Sequence, residues 1–154
     1  MIKDVSFKKK NGNVIRGRMY LPKEGGKRPV VIFSHGFGSN FRELMYHGEG
    51  FMEAGICCLF FDFCGGGMES LSDGAMTDMT VQTECEDLKT VIAGVKELEN
   101  VDPDKIFLQG ESMGGLISAL TAVEYPEKIA AMVLWYPAFV IPEDCAKRYA
   151  DGVN

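Results

Sequence analysis

The sequence predicts an α/β domain built on a mainly parallel sheet, with an antiparallel hairpin at its start. Three observations carry this expectation. Short apolar runs at 29–34, 56–63, 106–109 and 129–135 are apolar on both faces, as buried parallel strands are. Segments of helical period lie between them. Asn11-Gly12 sits between two extended runs, 2–9 and 13–21, which is a hairpin signal. The chain has 154 residues, of which 46% are hydrophobic and 25% charged, enough apolar material for one folded core.

Pro22 and Gly25-Gly26 break the chain after the hairpin. After the strand at 29–34, Asn40 with Glu43 three residues on reads as a helix N-cap pair. Leu44, His47, Phe51 and Met52 then share one helical face, and Gly55 is placed to end that helix. The strand at 56–63 leads into a long loop rich in Gly, Ser and Asp, from Cys64 to about Met79. Val81, Cys85, Leu88, Val91, Ile92, Val95 and Leu98 recur at spacings of three and four, an amphipathic helix. Asp102-Pro103-Asp104 reads as a turn, 106–109 as the third buried strand, and 113–124 as a helix halted by Pro126. The fourth buried strand is 129–135, and beyond Pro137 the pattern dissolves. The expected organisation is therefore one domain: a hairpin over 1–22, a βαβ core over 29–137 and a tail over 138–154.

The net charge is −6, and the sequence pI is near 4.9. That balance argues against nucleic acid or an anionic membrane as partner, since both need a basic face. No apolar run reaches the ~18–20 residues of a membrane span. The N-terminal Met1-Ile2-Lys3-Asp4-Val5 is polar and leads to Lys8-Lys9-Lys10 without an apolar core, so no signal peptide is expected and a cytoplasmic location is. Five cysteines, Cys57, Cys58, Cys64, Cys85 and Cys145, form no C-x-x-C pair, and only two histidines accompany them. Buried free thiols are expected, with no metal and no cofactor. Asp73, Asp78, Glu84, Glu86 and Asp87 read as a solvated loop and helix start. Gly65-Gly66-Gly67 is not G-x-G-x-x-G, and no helix opens directly after it.

The informative segment is Gly110-Glu111-Ser112-Met113-Gly114, which matches G-x-S-x-G. The string alone is common, but here a strand precedes it and a helix follows, the context the motif requires. Ser112 would occupy a sharp strand-to-helix turn, with glycines where side chains would clash with neighbouring backbone. Its hydroxyl would project at a helix N-terminus, where the dipole and the free N–H of Met113 favour negative charge. A second donor should come from the loop after an earlier strand. His35-Gly36-Phe37-Gly38 follows the strand at 29–34, and the Phe37 N–H is the candidate.

With these segments in view the chain resembles the α/β-hydrolase superfamily, and within it the bacterial cinnamoyl (feruloyl) esterases. The resemblance runs from about residue 13 through His35-Gly36-Phe37, Phe61-Asp62-Phe63, Ser72-Asp73-Gly74, Asp78-Met79-Thr80-Val81 with Glu84 and Glu86-Asp87, and Gly110–Gly115, to the strand ending in Pro137-Ala138. It implies Ser112 as nucleophile, the Phe37 and Met113 N–H groups as oxyanion hole, and hydrolysis of carboxylic esters through an acyl-enzyme without a cofactor. A thioesterase, a lipase-like esterase or a serine peptidase would use the same scaffold.

A serine hydroxyl needs a base, and in this superfamily the chain order is Ser, then Asp or Glu, then His. Both histidines here, His35 and His47, precede Ser112. The late acids Glu143, Asp144 and Asp151 fall where a lid would begin and do not match the superfamily's catalytic acid. The chain is thus expected to stop before the lid and the last strands, with Ile129–Trp135 left as an open sheet edge. That edge offers a different reading: a non-catalytic form that associates with itself or with a complementary fragment. Asp62 is expected to tie down the loop that follows its strand.

Overall fold

The computed structural model describes every residue except Glu24, Glu127, Asp151, Val153 and Asn154. Strands β1 (Ile2–Lys8) and β2 (Val14–Tyr20) form the expected hairpin, in register from Ile2↔Tyr20 to Lys8↔Val14. Gly12, at φ +95°, supplies the left-handed residue that the turn needs. β3 (Arg28–Ser34), β4 (Cys57–Phe61), β5 (Val101–Glu111) and β6 (Ala131–Trp135) complete a six-stranded sheet of order β1-β2-β4-β3-β5-β6. β2 joins β4 antiparallel, and every pairing beyond it is parallel.

Helices cover both faces. Phe41–His47 is a 3-10 helix that runs into α1 (Gly48–Glu53); α2 is Val81–Lys96, α3 is Met113–Glu124 and α4 is Ile141–Ala150. Thr80 caps α2 reciprocally with Thr83, each backbone N–H donating to the other's hydroxyl. On the α2 and α3 side, Ile15, Ile32, Leu59, Phe61, Leu88, Val91 and Ile117 build the larger core. On the other side, Val31, Phe33, Phe60, Phe41 and Leu44 pack beneath the 3-10 helix and α1. Because β3 and β4 are buried on both faces, their sequences carry no polar alternation.

Several expectations need correction. Asp102-Pro103-Asp104 lies within β5: between Arg28↔Val101 and Val30↔Ile106 β5 bulges, with the Asp104 N–H donating to the Asp102 carboxylate. The N-cap at Asn40 is present, its side chain accepting from the Arg42 N–H, but the first turns are 3-10. Glu43 accepts instead from the Ser39 hydroxyl at 2.6 Å. The tail beyond Pro137 is ordered into α4, which has no buried residue, although Ile141, Cys145 and Tyr149 recur on one face at spacings of four. Acids in its first turn and the Glu143–Lys147 pair support it locally. β6 is largely exposed, with Met132 at 43%, Val133 at 54% and Trp135 at 45%, because only β5 flanks it. Cys145 is exposed, while the other four thiols are buried and free. Glu84 and Asp87, expected in solvent, are buried; Asp87 pairs with Lys9 and accepts the Cys64 N–H at 2.7 Å.

Candidate active site

β5 ends at Glu111 and α3 begins at Met113, so Ser112 alone makes the strand-to-helix turn. It adopts φ +51°, ψ −117°, a conformation whose strain is about 1–3 kcal/mol for a residue with a side chain. Backbone hydrogen bonds hold it there. Its N–H donates to Trp135 O at 3.1 Å, and its carbonyl accepts from Ala138 at 2.8 Å, Gly115 at 3.1 Å and Leu116 at 3.3 Å. The flanking glycines are required by close approach. A Cβ on Gly110 would lie 2.3 Å from Gly114 O, and one on Gly114 would lie 2.2 Å from Ser34 O.

The loop after β3 runs beside this turn: a Cβ on Gly36 would stand 3.3 Å from Ser112 Cβ and 3.8 Å from Ser112 Oγ. Phe37, the next residue, points a 65% exposed ring to solvent. Among the described residues no acceptor takes its backbone N–H. Met113 opens α3, so its N–H has no carbonyl within the helix to bond. The two candidate donors thus flank Ser112 from two elements.

The loop is fixed from behind. Asp62, fully buried, accepts the Phe41 N–H on one carboxylate oxygen and the Leu71 N–H on the other, both at 2.7 Å. It does the tying expected of it. Gly65, Gly66 and Gly67 serve close packing here: a Cβ on Gly67 would lie 2.4 Å from Ser39 O, and the Gly38 N–H donates to Gly66 O. His35 belongs to the same scaffold. Its Nε2 accepts the Phe63 N–H at 3.1 Å, so its Nδ1–H donates to Gly36 O at 2.8 Å. Burial pushes its pKa below the usual histidine value, so the ring is neutral, with both nitrogens engaged.

His47 is also engaged. Its Nε2–H donates to Glu111 Oε1 at 2.6 Å, and its ring packs against Phe33, Tyr46 and Trp135. Sequence reading placed His47 on the apolar side of its helix but missed Glu111, the residue before Ser112. An acid at the end of an apolar strand, directly before Ser112, was the one signal for it. Glu143 and Asp144 lie on exposed α4, and Asp151 is outside the described residues. Burial holds the Cys58 and Cys64 thiols up at about 12, so neither is a thiolate near neutral pH. Among the described residues, no group of three or more His, Cys, Asp or Glu could hold a metal ion, and no helix is long and apolar enough to cross a membrane.

Residues 25–153 match the family described as serine aminopeptidase, S33. The chain belongs to this family of α/β-hydrolases. Over 93% of its length it superimposes on Est1E from Butyrivibrio proteoclasticus with ferulic acid bound, at a TM-score of 0.83 and 28% identity, covering 57% of that chain. Among curated relatives, caffeoylshikimate esterase of Arabidopsis thaliana is 32% identical over 90% of this chain and 41% of its own. Hydrolase LUC6 of a Fusarium species is 30% identical over 80% of this chain and 31% of its own. The chain therefore spans less than half the length of these curated relatives.

Proposed function

We propose that this chain carries the nucleophile and oxyanion hole of a serine esterase. In this reading Ser112 Oγ attacks the ester carbonyl carbon, and the developing oxyanion takes hydrogen bonds from the Phe37 and Met113 N–H groups. Collapse expels the alcohol with a proton, leaving an acyl-serine that water hydrolyses to the acid. Substrates are carboxylic esters with cinnamoyl, feruloyl or short acyl groups. The single observation that carries the reading is the Ser112 turn at φ +51° beside the Gly36-Phe37 loop. The ferulic acid of Est1E and the esterase activity named for the Arabidopsis relative favour esters over thioesters or peptides.

The proton from Ser112 needs an acceptor. His35 and His47 are bound to Gly36, Phe63 and Glu111, which leaves neither ring nitrogen of His35 free and turns His47 toward a carboxylate. The reading therefore assigns the base to a histidine outside residues 1–154. Treatment of a longer form that supplies this histidine with an aryl fluorophosphonate tests the nucleophile. Mass spectrometry is expected to find one phosphonyl group on Ser112 and none on Ser112→Ala; a label elsewhere, or equal labelling of the variant, overturns it.

A second reading rests on β6. Its Ala-Met-Val-Leu-Trp sequence has no charge, and only β5 pairs with it. Such an edge is a template for another strand, from a second copy or from a complementary fragment. Light scattering on residues 1–154 is expected to show a dimer that Val133→Lys dissociates; a clean monomer removes this reading.

A further inference from the structure

The only two non-glycine residues with positive φ among the described residues are Ser112 at +51° and Tyr136 at +36°. They stand at the ends of adjacent parallel strands, β5 and β6, and the last residue of β6 and the segment after it hold the serine turn by both its N–H and its carbonyl. Trp135 O accepts the Ser112 N–H, and the Ala138 N–H donates back to Ser112 O. A single side chain closes this arrangement. The Tyr136 hydroxyl donates to Glu111 Oε2 at 2.9 Å, while Glu111 Oε1 accepts from His47 Nε2 at 2.6 Å and, more weakly, from the Tyr46 hydroxyl at 3.4 Å.

Three elements thus meet on one carboxylate: the end of β5, the turn after β6 and the 3-10 helix. The contact is sheltered, with the His47 side chain 9% and the Glu111 side chain 13% exposed. Phe33 stacked on the His47 ring and Trp135 tilted against it keep that donor in place. Charge-assisted hydrogen bonds in a low-dielectric setting are the stronger kind. The hydrogen bonds of Ser112 to Trp135, Ala138, Gly115 and Leu116 do not involve the Glu111 carboxylate, so Glu111 acts on the serine through the backbone and through Tyr136.

We propose that Glu111 is a positioning residue for Ser112: by fastening Tyr136 and His47 to the elbow, it holds the two positive-φ turns in the geometry that aims the nucleophile. The proposal rests on the reading of Ser112 as nucleophile, and its test separates the two. Tyr136→Phe removes one hydroxyl from an exposed residue and leaves the core intact; Glu111→Ala removes the whole junction, and Glu111→Gln restores its shape. Two quantities are measured: hydrogen exchange at the Ser112 and Ala138 amides of residues 1–154 relative to α2 amides, and the rate at which an aryl fluorophosphonate labels Ser112 in a longer form that supplies the histidine base.

Glu111→Ala is expected to speed exchange at both amides about tenfold over the α2 reference and to slow labelling about tenfold. Tyr136→Phe should give part of each effect, and Glu111→Gln should recover part of the labelling rate. Exchange that rises evenly across the chain, or labelling within twofold of wild type in Glu111→Ala, overturns the proposal and leaves Glu111 a purely structural residue. Failure of the wild-type longer form to label at Ser112 overturns the nucleophile reading instead, and the exchange measurement still decides whether Glu111 holds the turn.

Discussion

A longer form that supplies Ser112 with a histidine base is expected to hydrolyse an activated aryl ester on the order of 10⁶-fold faster than residues 1–154 alone. The reason is chemical. In attack by a neutral serine the hydroxyl must shed its proton in the transition state, and the proposed oxyanion hole and the helix dipole would stabilise the product of that attack without accepting the proton. Within residues 1–154 the two imidazoles are committed elsewhere: His35 behind the Gly36-Phe37 loop, His47 at Glu111. The longer form would carry an acid and then a histidine after Ser112, the order this fold uses. Steady-state hydrolysis of a 4-nitrophenyl ester measures the difference, and Ser112→Ala should bring the longer form down to the short form's rate. Residues 1–154 turning over at the longer form's rate would show that a base is already present.

The second large effect is on stability. Glu84 lies in the first turn of α2 at 1% exposure, and its Oε2 has no hydrogen-bond partner among the described residues. Burial, helped by the nearby Asp87 carboxylate, raises its pKa from 4.5 to about 8. The helix dipole at an N-terminus favours the charged form, but desolvation outweighs it. A group whose pKa is higher folded than unfolded contributes stability that is full below the unfolded value and is lost as pH rises toward the folded one. Stability should therefore fall between pH 4.5 and pH 8 and level off above, by on the order of 3 to 5 kcal/mol at 1.36 kcal/mol per pKa unit. Asp87, raised in the same direction by burial, adds to the slope. Glu84→Gln keeps the shape without the charge, so it should flatten that slope and raise the urea midpoint at pH 8. A wild-type midpoint that is constant from pH 5 to pH 8 would contradict this account.

Much of the fold is legible in the sequence because its signals are local. The runs at Val30–Ser34 and Cys57–Phe61 are apolar on both faces, as suits strands covered twice, whereas the equally apolar β6 lies largely exposed. The α2 stripe and the Asn11-Gly12 turn are likewise written over a few residues. What escaped was where an element's stability comes from something other than an apolar stripe. Helix α4 carries Ile141, Cys145 and Tyr149 at spacings of four but buries none of them, and end charges with one i,i+4 pair support it locally. The bulge at Asp102-Pro103-Asp104 looks like a turn because locally it is one, and only its strand neighbours make it part of β5.

The candidate site divides along the same line. Gly110-Glu111-Ser112-Met113-Gly114 by itself determined the strained turn, since glycines at those places have no cheaper use than close backbone approach, and the later structure has Gly114 against Ser34 O. It also determined that no histidine follows Ser112 within these residues. The tertiary structure alone decided the rest. Burial of Glu84 and Asp87, the pairing of Asp87 with Lys9, and the meeting of His47, Tyr136 and Glu111 join residues 25 to 78 positions apart. Such contacts depend on how whole elements dock against one another, and no short window of sequence contains that information.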